Sequence, residues 1–286
     1  MSSVTSSTGA APGYRPSAVL GLRVEVRRQL GRRRTQLTLG FLALLPLLLA
    51  GAFQLGSGSP NPGAPGLVEL ATSGAANFTL FTLFASTGFL LVVVVALFAG
   101  DTVAAEASWS SLRYLLAAPV PRSRLLRQKF LVALGFSAFA LVLLPAAALL
   151  VGWAVFGWAP VRSPLGLTLG TPEAMGRLAI IVGYLMAVML FVAALGFLVG
   201  VYTDAPLGAV GGAVLLVIVS NILDAVTALG SLRDFLPTHY QYAWVDALGS
   251  TVTWSGMARG ALSSVLYSAV LLLVAWRHFL RKDILS

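Results

Sequence analysis

The chain has 286 residues, 58% of them hydrophobic and 10% charged, with a mean hydropathy of +0.89. Soluble domains carry about a quarter charged residues, and disordered chains need low hydrophobicity. Both classes are excluded, and a polytopic membrane protein remains. Cysteine is absent, which removes disulfides, thiolate metal sites and cysteine nucleophiles. The net charge of +9 then becomes a question of where along the chain the basic residues fall. Residues 1–16 are rich in Ser, Thr, Gly and Pro and lack an apolar core, so they read as a disordered cytoplasmic tail and not as a secretory signal. In 17–34, Val19, Leu22, Val26 and Leu30 recur at helical spacing while Arg23, Arg27, Arg28 and Arg34 stay off that stripe. This predicts an interfacial amphipathic helix in the inner headgroup layer; the alternative is a plain basic anchor with no defined orientation.

Residues 35–286 form one all-α membrane domain of six predicted spans, each near the ~20 apolar residues a helix needs to cross. They lie between Arg34 and Glu69, between Glu69 and Asp101, from Lys129 to before Arg162, from Arg177 to Asp204, from Asp204 to about Asp224, and between Arg259 and Arg277. With the N-terminus inside, the inner segments hold fifteen of the nineteen Lys and Arg residues, and the outer loops hold Arg162, Arg177, Arg233 and Arg259. That bias places both termini in the cytoplasm, in agreement with an even number of spans. Pro46 and Pro145 fall inside spans and predict kinks. Gly196 and Gly200, like Gly208 and Gly212, have the spacing that lets helices approach closely.

The cytoplasmic segment 101–129 is short and well patterned. Glu106, Ser110 and Arg113 share one helix face, and Val103, Ala107 and Leu115 line another. Pro119 and Pro121 break the helix, and a basic helix from Arg122 to Lys129 leads into the third span. A helix–break–helix element of this kind suits transmission of a push from a cytosolic partner; a purely solvating inner surface is the alternative.

The stretch resembles the signature region of the membrane subunits (permeases) of type-2 (ABC-2) ABC exporters. The residues that carry the resemblance are Glu106, Ser110–Ser111, Leu115–Leu116, Pro119–Val120, Arg122 and Lys129. Ser110–Ser111 stand where the family often has Gly-Thr. The resemblance extends to the basic N-terminal helix, the six spans and the long outer loop 227–260, where Leu236–Pro237–Thr238–His239–Tyr240 precedes the short amphipathic piece Tyr242–Leu248. It implies an integral protein of the bacterial cytoplasmic membrane whose coupling helix, around Glu106, sits in a groove of a separate cytosolic ABC ATPase. Two ATPase copies and a second permease copy, identical or paralogous, would complete the working unit. Arg113 would hold Glu106 in position. The second and fifth spans would line the solute route, which makes Phe81, Phe84, Asn221 and Asp224 candidate lining residues.

No cofactor is expected in this chain; Mg-ATP would be bound by the partner subunit. Neither Lys129 nor Lys282 follows the glycine that a phosphate-binding loop requires. His239 and His278 stand alone, there is no HExxH, and no Gly-x-Ser-x-Gly elbow is present, so no enzyme activity and no metal site are expected. The basic residues are read as membrane-facing anchors against the lipid bilayer and not as a nucleic-acid surface. Ion-coupled carriers place ionisable groups at the midplane, whereas the span middles here offer hydroxyls and amides: Asn77, Thr79, Thr82, Ser86 and Thr87, then Ser220 and Asn221. These fit a path for a bulky or amphiphilic solute, but for any single residue ordinary helix packing is the favoured reading. The expectation is an ATP-driven exporter subunit. The alternatives are a stand-alone carrier or channel and a non-transporting mechanical anchor for an extracytoplasmic partner.

Overall fold

The computed structural model describes residues 21–56, 67–108, 122–162 and 168–281. These are mostly helical: α1 Leu22–Leu30, α2 Arg33–Leu55, α3 Leu67–Thr72, α4 Ala75–Thr87, α5 Leu90–Ser108, α6 Arg122–Phe156, α7 Thr171–Tyr202, α8 Pro206–Ala225 and α9 Trp254–Arg281. A two-stranded ribbon pairs β1 Val161–Arg162 with β2 Thr168–Leu169. Two 3-10 stretches, Thr227–Phe235 and Ala243–Leu248, connect α8 to α9. Five helices (α2, α6, α7, α8 and α9) are long and apolar enough to cross a membrane, and α4 with α5 makes a sixth if the bent pair counts as one span.

Sequence and structure differ at that sixth span. The apolar run between Glu69 and Asp101 is two helices meeting at 59°, with Gly88 and Phe89 between them. A break inside a buried apolar run frees backbone groups that must be satisfied from elsewhere, and here the α8–α9 connection supplies partners. The Gln241 side-chain amide donates to the Thr87 carbonyl at 2.7 Å. The Tyr242 hydroxyl sits on Gly88, so close that a Cβ there would come within 2.5 Å of its oxygen. Pro46 and Pro145, by contrast, each stay inside a single unbroken helix. The last span is longer than its flanking arginines suggest, because α9 begins at Trp254 and Arg259 stands exposed within its first turns.

α7 is the central helix: 61% of its most apolar window is buried, against 17–33% for the other single-helix spans. Its core residues Ile181, Leu185, Val192 and Phe197 are fully or nearly fully enclosed. Small residues set the approach of its neighbours. A Cβ on Gly196 would lie 3.2 Å from Ala96, and one on Gly200 would lie 2.5 Å from the Gly100 carbonyl. On α8, Ala209 packs against Gly100 of α5 and a Cβ on Gly212 would lie 3.3 Å from Val199 of α7, whereas Gly208 meets only Ala205 and Thr203 of the preceding link. Gly200→Val should therefore wedge α5 away from α7 at a cost of about 1–3 kcal/mol, read as a lower unfolding midpoint of the detergent-solubilised protein. Gly183→Ala, with open space around the added methyl, should leave the midpoint unchanged.

The contacts sort the bundle into two ends. At one end lie the start of α2, the ends of α5, α7 and α9, and the start of α6, tied by Arg32 and Arg34 to Asp101 and by Tyr202 stacked on His278 at 3.8 Å. At the other end lie the ribbon and the 3-10 stretches. There Gly157, at φ 74°, ends α6 in the left-handed turn that favours glycine, and its carbonyl accepts from Ala75 N at 3.0 Å to start α4. Arg162, Arg177, Arg233 and Arg259 belong to this second end; the remaining described arginines, with Lys129, belong to the first.

Candidate functional site

The arginine-rich end carries a network that holds both arms of the segment between α5 and α6. Asp101, in α5 with its side chain 4% exposed, accepts from Arg32 and Arg34 at 2.9 Å each. Lys129, in α6 and equally enclosed, donates to Glu25 of α1 at 3.1 Å. Arg28 also approaches Glu25, at 3.7 Å. One short helix and the turn after it, Gly31–Arg32, thus clamp two long helices. α1 turns Glu25 and Gln29 toward the bundle and leaves Leu22, Val26 and Leu30 exposed. Of the predicted stripe, Leu22, Val26 and Leu30 are therefore on the outside of the molecule, Val19 lies outside the described residues, and α1 ends before Arg33.

Asp101→Asn keeps the shape and removes the charge both arginines bind. The expected cost is about 2 kcal/mol, below the roughly 3–5 kcal/mol of a fully buried pair, because the Arg32 and Arg34 side chains are 22% and 56% exposed. Chemical unfolding of the purified protein reads this, and Arg34→Gln should cost less than Arg32→Gln.

Of the predicted coupling residues, Glu106 lies in the last turn of α5 and Arg122 begins α6. Ser110, Arg113 and Pro119 lie outside the described residues. The Lys129 amine is buried against Glu25. It braces the base of α6. Sequence spacing gave no sign of this bond, since Glu25 and Lys129 are 104 positions apart.

At the opposite end, the loop Pro237–Tyr242 dips into the bundle. Thr238 shares a hydrogen bond with Ser220 at 2.7 Å, Tyr184 donates to the Tyr240 carbonyl at 2.5 Å, and Gln241 reaches the break between α4 and α5. His239 stands between Asp224, at 2.6 Å, and Asp234, at 3.3 Å. Burial pushes the Tyr242 phenol up in pKa, and its backbone hydrogen bond with Gly88 pulls the other way. Arg177, 5% exposed, donates to the carbonyls of Ala247 at 2.8 Å, Gly249 and Ser250, and to Glu173 at 2.5 Å. Arg177 is thus no outer-loop charge but a buried hub on α7 that fastens the end of the stretch Ala243–Leu248 and the turn after it.

That stretch roofs an apolar cavity of about 140 Å³. Phe81 and Phe84 line it together with Leu80, Trp244 and Val245, whereas Asn221 and Asp224 do not. The four candidate lining residues thus do not share one site. Asp224 is engaged by His239, and its carbonyl accepts from Arg233 at 3.1 Å; Asn221 is half-buried on α8. Thr79, Thr82 and Thr87 bond to the carbonyls four residues earlier in their own helix, the local back-bond that satisfies a buried hydroxyl without a ligand. Among the described residues no group of His, Asp or Glu converges as a metal-ligand set.

The architecture is that of a helical bundle with five to six helices able to cross a membrane and charge concentrated at one end. The chain belongs to the family described as protein of unknown function (DUF2705), whose model matches residues 64–285. The match spans α3 to α9 and the segment with Glu106, and starts after α2. No curated protein matches the chain.

Proposed function

We propose that the chain is the membrane-spanning subunit of an ATP-driven exporter of the ABC-2 type, which moves a hydrophobic or amphiphilic solute outward. The arginine-rich end faces the cytoplasm, by the positive-inside bias. A cytosolic ATPase dimer docks there on the Glu106 helix, and a second permease copy completes the path.

The observation that carries this reading is the continuity of the segment's two arms with spans two and three. α5 carries Glu106 in its last turn, and α6 runs unbroken from Arg122 to Phe156. Near their cytoplasmic ends both are clamped to α1 and the start of α2 through Asp101 and Lys129. A push on the connecting segment is then delivered to the spans as tilt, since packed helices move as rigid bodies. The clamp also supplies the fulcrum, with the exposed Leu22, Val26 and Leu30 of α1 anchored in the inner headgroup layer.

The charges that a stand-alone ion-coupled carrier would use are otherwise engaged. Asp101, Lys129 and Arg177 lie toward helix ends and are satisfied within the chain. Reconstitution into liposomes decides between the readings. Solute movement is expected only when the ATPase partner and Mg-ATP are both present. Movement without nucleotide would establish a carrier, and none with the complete system would establish a mechanical anchor.

A further inference from the structure

We propose that the cavity beneath Trp244 is a binding site for a single-chain anionic amphiphile, with the apolar end of the chain inside and the anionic head on Arg162. It opens between α4 and the 3-10 stretch Ala243–Leu248, at the end of the bundle away from the arginine-rich network.

Three observations converge on this occupant. The walls are Leu80, Phe81, Phe84 and Trp244, and the exposed Phe84, Val245 and Leu67 mark a mouth that opens on an apolar face. A space of about 140 Å³ matches a benzene-sized cavity, which an apolar lining keeps dry (an engineered cavity of about 150 Å³ in another protein takes benzene). It therefore accepts a ring or the last few methylenes of a chain, and the rest of the chain runs along the mouth to Arg162.

The third observation is the charge at the edge. Asn77, 6% exposed, donates from Nδ2 to the Arg162 carbonyl at 2.7 Å, and its Oδ1 accepts from Arg162 N at 2.9 Å. This two-point bridge fixes β1 on α4 and sets Arg162 at the cavity wall. Arg162 is exposed and forms no ion pair with any described carboxylate. An exposed guanidinium on a residue that lines an apolar opening, with no ion pair among the described residues, favours an anion on the amphiphile, and a quaternary ammonium head is disfavoured by the same charge.

The site narrows the solute class offered above and to that extent rests on the exporter reading, but its test needs neither nucleotide nor ATPase. The purified full chain in nanodiscs of zwitterionic lipid is irradiated with dodecanoic acid carrying a diazirine at the chain end, and the adducts are mapped by mass spectrometry. Labelling is expected on Phe81, Phe84 and Val245, displaced by decanoate and about fivefold less well by decyltrimethylammonium. Val245→Trp, which fills the mouth from an exposed position, should reduce labelling to background, and Arg162→Gln should remove the preference for the anion while the chain stays folded. Equal labelling of lipid-facing residues such as Leu47 and Leu216, equal displacement by both competitors, or undiminished labelling of Val245→Trp would overturn the proposal. Failure of export in liposomes would leave a positive labelling result standing, so the two claims fail separately.

Discussion

Glu106→Arg should leave the protein in the membrane at normal abundance and cut its co-purification with the proposed ATPase partner about thirtyfold. Glu106 lies in the last turn of α5, at the arginine-rich end. At a docking surface, reversing one charge both removes an attraction and places like charges together, which is worth several kcal/mol when the contact is desolvated; about 2 kcal/mol corresponds to the stated factor. Nucleotide-dependent export should fall in proportion, while Thr251→Arg at the opposite end should leave association unchanged. Normal association and export in Glu106→Arg would remove the helix from the coupling pathway.

The second large effect concerns Arg177. Arg177→Met strips three carbonyls and Glu173 of their donor at a site where the side chain is 6% exposed. Hydrogen bonds to a charged group contribute about 1.5–3 kcal/mol each, with less than full additivity, so a loss of about 3–5 kcal/mol is expected. The unfolding midpoint should drop sharply, and release of Ala243–Leu248 should open Trp244, now 1% exposed, to aqueous quenchers. Arg177→Lys should be intermediate, because one ammonium cannot span the same set of acceptors. Glu173→Gln should cost well under 1 kcal/mol, as befits a carboxylate 53% exposed. An unaltered midpoint in Arg177→Met would show that the loop is held by its packing alone.

What the sequence revealed and concealed follows from the range of the interactions. The apolar runs announced the crossing helices because hydropathy is a local property, and α2, α6, α7 and α8 lie where those runs fall. The close approach of α7 at Gly196 and Gly200 was legible from spacing for the same reason. The break at Gly88 was not, since nothing in Phe78–Phe98 demands it; it persists because Gln241, 154 positions away, takes the Thr87 carbonyl. Long-range partners likewise hid the Glu25–Lys129 pair and the Arg177 hub. Phe81 and Phe84 do line a cavity, but its roof comes from Trp244 and Val245 and not from Asn221 or Asp224. Aromatic residues on one helix could signal an apolar wall, and the opposing wall depended on how a distant loop folds back.

The account stands on the side of the membrane at which the Glu106 segment lies. Because the chain contains no cysteine, a single introduced thiol reports its own position without background. Ser108→Cys and the exposed Thr251→Cys are each treated with a membrane-impermeant maleimide, on intact cells and on permeabilised ones. The account predicts that Thr251→Cys reacts in intact cells and that Ser108→Cys reacts only after permeabilisation. Reaction of Ser108→Cys in intact cells would contradict it, because no cytosolic ATPase could then reach the helix.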